Sequence, residues 1–143
     1  MIEEGRGQQA DRPASWTRLA EAAESTFWGY MGCEVVRADS SRAEISLKIR
    51  PELLNMLGIV HGGVLAALMD NAMGLVVMLA CPDERTVTAN MNIQYLKSAN
   101  SGMLTCEAAL VHRSQRSFTL QSSIYGEDGG LLAWGSGSFR LVI

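Results

Sequence analysis

Paired cysteines, an excess of basic charge and the pattern of an export signal are not found in this sequence, and each absence narrows the functions to expect. Cysteine occurs only three times, at Cys33, Cys81 and Cys106, with no CxxC pair. An odd, widely spaced set argues against a disulfide framework or a zinc site and for reduced, mostly buried thiols in a reducing compartment. Twelve basic against 15 acidic residues leave a net charge of −3. That balance offers no general footprint for nucleic acid, so an anionic ligand has to be met by a local basic cluster. The opening MIEEGRGQQADRP has no apolar core of the kind an export signal carries. Residues 1–13 are therefore expected to be a disordered leader, and the protein is expected to be cytoplasmic. Internal repeats and low-complexity tracts are also missing. With 48% hydrophobic and 19% charged residues, the remainder (14–143) is expected to form one globular domain.

What the sequence does have is one long apolar run. From Gly62 to Ala80 there is no proline and a single charge, Asp70. Nineteen such residues have the length of a membrane span. However, Asp70 and Asn71 sit in mid-run, His61 and two glycines open it, and no basic cluster follows. A carboxylate at mid-bilayer costs about 2.5–3.5 kcal/mol, which favours a helix buried in protein. No membrane partner is expected.

Strands supply the wrapping. Ala43, Ile45, Leu47 and Ile49 alternate with polar residues, as do Val87, Ala89, Met91, Ile93 and Tyr95 against Thr88, Asn90, Asn92 and Gln94. Residues 33–38, 103–112, 117–125 and 131–142 read as further strands, with EDGG as a hairpin turn. Glycines at 135 and 137 would ease bending of the last strand. Before them, Trp16, Leu19, Ala20, Ala23, Phe27 and Tyr30 predict one amphipathic helix from Ser15. The expected fold is α+β: a curved antiparallel six-stranded sheet around a long central helix, with an N-terminal amphipathic helix.

Helical geometry places His61 and Asp70 on opposite faces, about 13 Å apart along the axis, so a site using both would draw on two chains. Gly63, Ala66, Ala67 and Gly74 share the face of Asp70, a small-residue stripe suited to tight helix packing or to a slender ligand. Burial disfavours a charged carboxylate, so a hydrogen-bond donor is expected beside Asp70. Gly62 and Gly63 open the helix, where free N–H groups point outward, and could equally serve only to shape a tight entry.

The pattern N-x-x-G-x-x-H-G-G, with aspartate nine residues after histidine, resembles the PaaI-like and THEM2-like hotdog-fold acyl-CoA thioesterases of the 4-hydroxybenzoyl-CoA thioesterase superfamily. TANMNIQYLKSA resembles that family's strand after the helix. The likeness covers roughly residues 30–142. It implies hydrolysis of an acyl-CoA thioester, aryl or medium to long chain, at sites shared by two subunits of a homodimer, with homotetramers common. No cofactor is implied, coenzyme A being part of the substrate, and no metal.

The resemblance makes Asp70 the nucleophile or general base and the Gly62 N–H an oxyanion hole, with Gly63 admitting the substrate. Asn55 would face Asp70 of the partner subunit, His61 would order the loop, and Thr88 would assist the carboxylate; because alternation turns Thr88 away from Met91 and Ile93, that role needs a strand irregularity or a subunit contact. Arg113, Arg116 and Lys97 are the candidates for the phosphates. A non-catalytic acyl-CoA sensor and a hotdog hydratase or dehydratase are the competing readings.

Overall fold

The computed structural model describes residues 14–142, so the expected leader lies outside the described residues. The described chain divides after Met31 into two compact units. The first holds α1 (Ala14–Glu24) and α2 (Phe27–Met31). A single helix was expected here. It is interrupted because the Thr26 hydroxyl and N–H both bond the Ala23 carbonyl, so a threonine competes for the helical backbone. At Gly29, within α2, a Cβ would collide with the Glu24 carbonyl.

The second unit runs β1 (Glu34–Ala38), β2 (Arg42–Lys48), a short 3-10 turn (Pro51–Leu53), α3 (Gly62–Ala80), then β3 (Thr86–Tyr95), β4 (Met103–Arg113), β5 (Ser117–Tyr125) and β6 (Leu131–Leu141). This is the expected α+β arrangement. The six strands form one antiparallel sheet in the order β1-β2-β4-β5-β6-β3. Alternate residues of β2, β4 and β5 (Ile45 and Leu47, Leu104 and Cys106, Phe118 and Leu120) are buried with Leu68, Met69, Met73 and Val76 of α3. That shared core takes up much of the surface of a helix that is apolar and long enough for a bilayer. Gly137 gives room to Met73, whose sulfur and methyl occupy the space a Cβ would take, and Gly135 lets the Asn92 backbone come close.

The two sheet edges differ. The β1 edge is five residues long, is interrupted at Val36 and carries an Arg37–Glu44 ion pair at 3.2 Å. The β3 edge is ten residues long and has no charge.

One irregularity corrects the expected alternation of β3. Thr88 pairs with Phe139, but Asn90, not Ala89, pairs with Ser138, so Ala89 is an extra residue in a β-bulge. Residues directly opposite in an antiparallel pair share a face. Thr88 therefore lies with the buried Phe139 on the helix side, together with Met91, Ile93 and Tyr95. Val87 points the other way and is half exposed. The extra residue reverses the alternation at that point.

Candidate active site

The approach to α3 is built by contacts close in sequence. Asn55 Oδ1 accepts from the N–H groups of Leu57 (2.9 Å) and Ile59 (3.4 Å), and the Asn55 N–H donates to the Ile59 carbonyl at 2.8 Å. Gly58 takes φ +76°, a conformation side chains disfavour, and its N–H bonds the Asn55 carbonyl at 3.0 Å. Leu54 and Val60 bridge the base of this turn. His61 then caps the helix: its Nδ1 accepts from the Gly63 N–H at 2.8 Å. The N-x-x-G-x-x-H spacing thus encodes an asparagine-held turn, a left-handed residue and a cap. The cap needs a lone pair on Nδ1, so the imidazole is neutral with its proton on Nε2.

Of the two glycines after the histidine only the second is required sterically, since a Cβ on the first would make an ordinary contact. A Cβ on Gly63 would stand 2.9 Å from the His61 Nδ1, so the cap requires glycine there. A Cβ on Gly62 would stand 3.4 Å from the Tyr95 ring, and the Tyr95 hydroxyl donates to the Gly62 carbonyl at 2.9 Å. The His61 carbonyl serves the N–H groups of Val64 and Leu65. Among the described residues, the Gly62 N–H is left without a partner, at the positive end of a 19-residue helix.

Eight residues on, about 12 Å along the axis, lies Asp70. The Thr88 hydroxyl donates to its Oδ1 at 2.6 Å, across the Ala89 bulge just described. Asp70 is partly exposed, and so are its small neighbours Ala66, Ala67 and Gly74. The chain thus carries two half-sites. One has an open N–H donor, a neutral histidine and Asn55, whose Oδ1 is occupied within its own loop. The other has a carboxylate with a hydroxyl on it. An open N–H at a helix start suits a developing oxyanion, and a hydrogen-bonded carboxylate suits attack on a carbonyl or activation of water.

The three basic candidates are not brought together within one chain. Lys97 pairs with Asp128 at 3.5 Å beside the β5–β6 hairpin. There, with the Gly130 N–H donating at 2.9 Å, it holds the Asp128 carboxyl below its usual range. Arg113 and Arg116 lie at the other end of β5, about 30 Å away. The Arg113 guanidinium is also engaged, 3.2 Å from the Cys81 sulfur and 4.9 Å from the Phe118 ring centre.

All three cysteines are buried and unpaired by disulfides. Burial pushes the Cys106 thiol up to about 12 and also raises Cys33, which leaves both unreactive. Among the described residues no group of three His, Cys, Asp or Glu side chains could hold a metal. Tyr95 was not anticipated as part of the site. An aromatic on the helix-facing register of β3, level with the helix start, is the signal that would have found it.

Comparison with known proteins agrees with the fold. The Thioesterase superfamily model matches residues 57–133, more than half of the chain. The 1,4-dihydroxy-2-naphthoyl-CoA hydrolase of Listeria monocytogenes is 25% identical over 103 residues, 71% of this chain and 84% of that protein. A thioesterase structure from Haemophilus influenzae superposes with a TM-score of 0.84 at 18% identity, covering 92% of each chain. A Streptococcus pneumoniae thioesterase protein solved with coenzyme A superposes with a TM-score of 0.72 at 24% identity, covering 77% of this chain and 85% of that one. With its six-stranded antiparallel sheet and long central helix, the chain belongs to the thioesterase superfamily and has the hotdog fold.

Proposed function

We propose that this protein is an acyl-CoA thioesterase of the PaaI-like type whose active sites are each completed by two subunits. The observation that carries the reading is the Asp70–Thr88 hydrogen bond, 2.6 Å, made on a helix whose own N-terminal donor lies about 12 Å further along. One chain holds both halves and cannot close them on one carbonyl. A second chain supplies the missing half. The long, uncharged β3 edge supports that pairing, because such an edge in water invites another strand. Antiparallel pairing of β3 with its own copy sets the Thr88 end of one strand against the Tyr95 end of the other. Each carboxylate then approaches the helix start of its neighbour. A cytoplasmic homotetramer of two such dimers is the proposed assembly.

The Gly62 N–H receives the thioester oxygen as it becomes negative, helped by the helix dipole and by the exclusion of water. The Asp70 carboxylate attacks the carbonyl carbon or deprotonates the water that does so. In the first route an Asp70–acyl anhydride forms as the C–S bond breaks and the thiolate leaves, and water then cleaves the anhydride. In the second, water adds directly. Both release a carboxylic acid and coenzyme A. Thr88 holds the carboxylate by donating its hydroxyl to Oδ1, leaving Oδ2 for chemistry. His61, as the cap donor's partner, orders the Gly62–Gly63 backbone.

The test is thiol release from a panel of aryl-CoA and fatty acyl-CoA esters. Wild type hydrolyses at least one class, and Asp70→Asn lowers kcat about a thousandfold with a much smaller change in KM. Equal activity of the two proteins would remove Asp70 from the mechanism. Binding of CoA esters without turnover by wild type would make the protein a sensor.

A further inference from the structure

The open Gly62 N–H is surrounded by more contacts than the helix itself needs. Among the described residues, every other backbone group of the two peptides that meet at Gly62 has a partner. The His61 carbonyl accepts from Val64 and Leu65, the Gly63 N–H donates to His61 Nδ1, and the Gly62 carbonyl accepts from the Tyr95 hydroxyl at 2.9 Å. Just upstream, the His61 N–H donates to the Leu53 carbonyl at 2.9 Å, and the Val60 N–H donates to the Ala99 carbonyl at 2.8 Å.

Of these bonds, the one from Tyr95 is not explained by folding. Gly62 is the first residue of α3, so its carbonyl has an intrahelical partner in the N–H four residues on. The hydroxyl takes the second lone pair of that oxygen. Burial does not force the bond either, because Tyr95 is 55% exposed and water could serve its hydroxyl. The ring also lies along Gly62, 3.4 Å from where a Cβ would stand. Glycine lacks the side chain that narrows the backbone angles of other residues. The Tyr95 ring and hydroxyl supply that restraint from outside, at the residue whose N–H is open.

The strand that carries Tyr95 is anchored independently of the loop. Tyr95 pairs with Ala133 of β6, and the N–H groups of Leu96 and Lys97 both donate to the Leu132 carbonyl, at 2.8 and 3.1 Å. The hydroxyl therefore ties the start of α3 to the sheet. On the same face of β3, Thr88 bonds Asp70. One strand thus supports a group in each half-site, in both cases through a side-chain hydroxyl.

We propose that Tyr95 is the positioning residue of the oxyanion donor, its hydroxyl holding Gly62 so that the N–H stays aimed at the thioester oxygen. This rests on the thioesterase reading above and adds to it a residue that acts through Gly62 rather than on the substrate. A neutral thioester oxygen gains little from a well-aimed donor, and the charged oxygen of the tetrahedral state gains much more. A donor fixed beforehand needs no reorganisation when that charge appears. Loss of the hydroxyl therefore falls on kcat and not on KM. In the antiparallel β3 pairing proposed above, each site takes Thr88 from one strand and Tyr95 from the other, so the strands that join the subunits also set both ends of the site.

The experiment compares wild type with Tyr95→Phe, which keeps the ring against Gly62 and removes only the donor. On an acyl-CoA ester that wild type hydrolyses, kcat falls about tenfold with KM within about twofold. Two inhibitors separate positioning from a merely structural role. One is a trifluoromethyl ketone analogue of the acyl-CoA, whose carbonyl becomes an oxyanion when attacked; the other is a thioether analogue with no carbonyl. Tyr95→Phe weakens the ketone about tenfold and the thioether less than about twofold, whereas a loss of folded protein moves neither inhibition constant. The proposal is overturned if the ratio of the two constants matches that of wild type, or if kcat stays within about twofold of it. Should wild type hydrolyse no thioester, the thioesterase reading fails by itself, and the NMR order parameter of the Gly62 amide decides the role of Tyr95. A lower value in Tyr95→Phe upholds the positioning, and equal values in the two proteins overturn it.

Discussion

The two halves of α3 look alike as sequence and do different work. From Ala72 to Val77 the helix is almost wholly buried, with Ala72, Met73, Val76 and Val77 inaccessible to solvent. From Gly62 to Asn71 only Leu65, Leu68 and Met69 are buried, and the remaining positions carry glycine, alanine, one valine (Val64) or a polar group with some exposure. The sheet packs against the first of these stretches over most of its circumference and against the second along one stripe. A helix that must be anchored and also present chemistry divides the tasks along its length. The buried half resists displacement, and the open half holds a carboxylate and a backbone donor where a second molecule can reach them.

If that division is correct, substitutions in the two halves should separate stability from turnover. The largest stability effect is expected from Met73→Ala, which empties the space beneath Gly137. Urea unfolding should show a loss of about 2–5 kcal/mol, while the fraction that stays folded keeps its kcat. A loss below 1 kcal/mol would mean that the buried half is not the anchor.

Thr88→Val comes next. It keeps the shape and removes the donor to Asp70, and should lower kcat about tenfold while changing stability by less than about 1 kcal/mol. An unchanged kcat would reduce the 2.6 Å bond to a structural contact.

His61 sharpens the comparison from the other end, with the smallest expected effect. His61→Ala should cost about 1 kcal/mol through the lost cap, and His61→Asn should recover most of it because asparagine also accepts from the N–H of the first turn. Activity of His61→Asn should stay within a few-fold of wild type. A hundredfold loss would give the imidazole a direct part in proton transfer.

Much of this was readable before any fold was known. The strands and the central helix follow from alternation and from one apolar run bounded by glycine and by Cys81-Pro82. The order of elements then leaves few ways to cover the apolar faces. Less visible was the break at Thr26, where the apolar spacing continues from Ala23 to Phe27 although the backbone does not. Periodicity records which residues are apolar, and a side chain that captures a carbonyl leaves no mark on it. Alternation put Thr88 on the wrong face and could say only that its role needs an irregularity or a subunit contact; the inserted Ala89 is that irregularity.

Sequence alone determined the entry to α3, because Asn55, Gly58, His61 and Gly63 act on backbone groups no more than four residues away. Interactions of that range survive in any surrounding fold that leaves the loop space. Tertiary structure decided the rest of the site. Thr88 meets Asp70 only because β6 pairs with β3 in a register that leaves Ala89 without a partner, and register between distant strands is specified where one face is buried, as it is here where Met73 of α3 fills the space at Gly137.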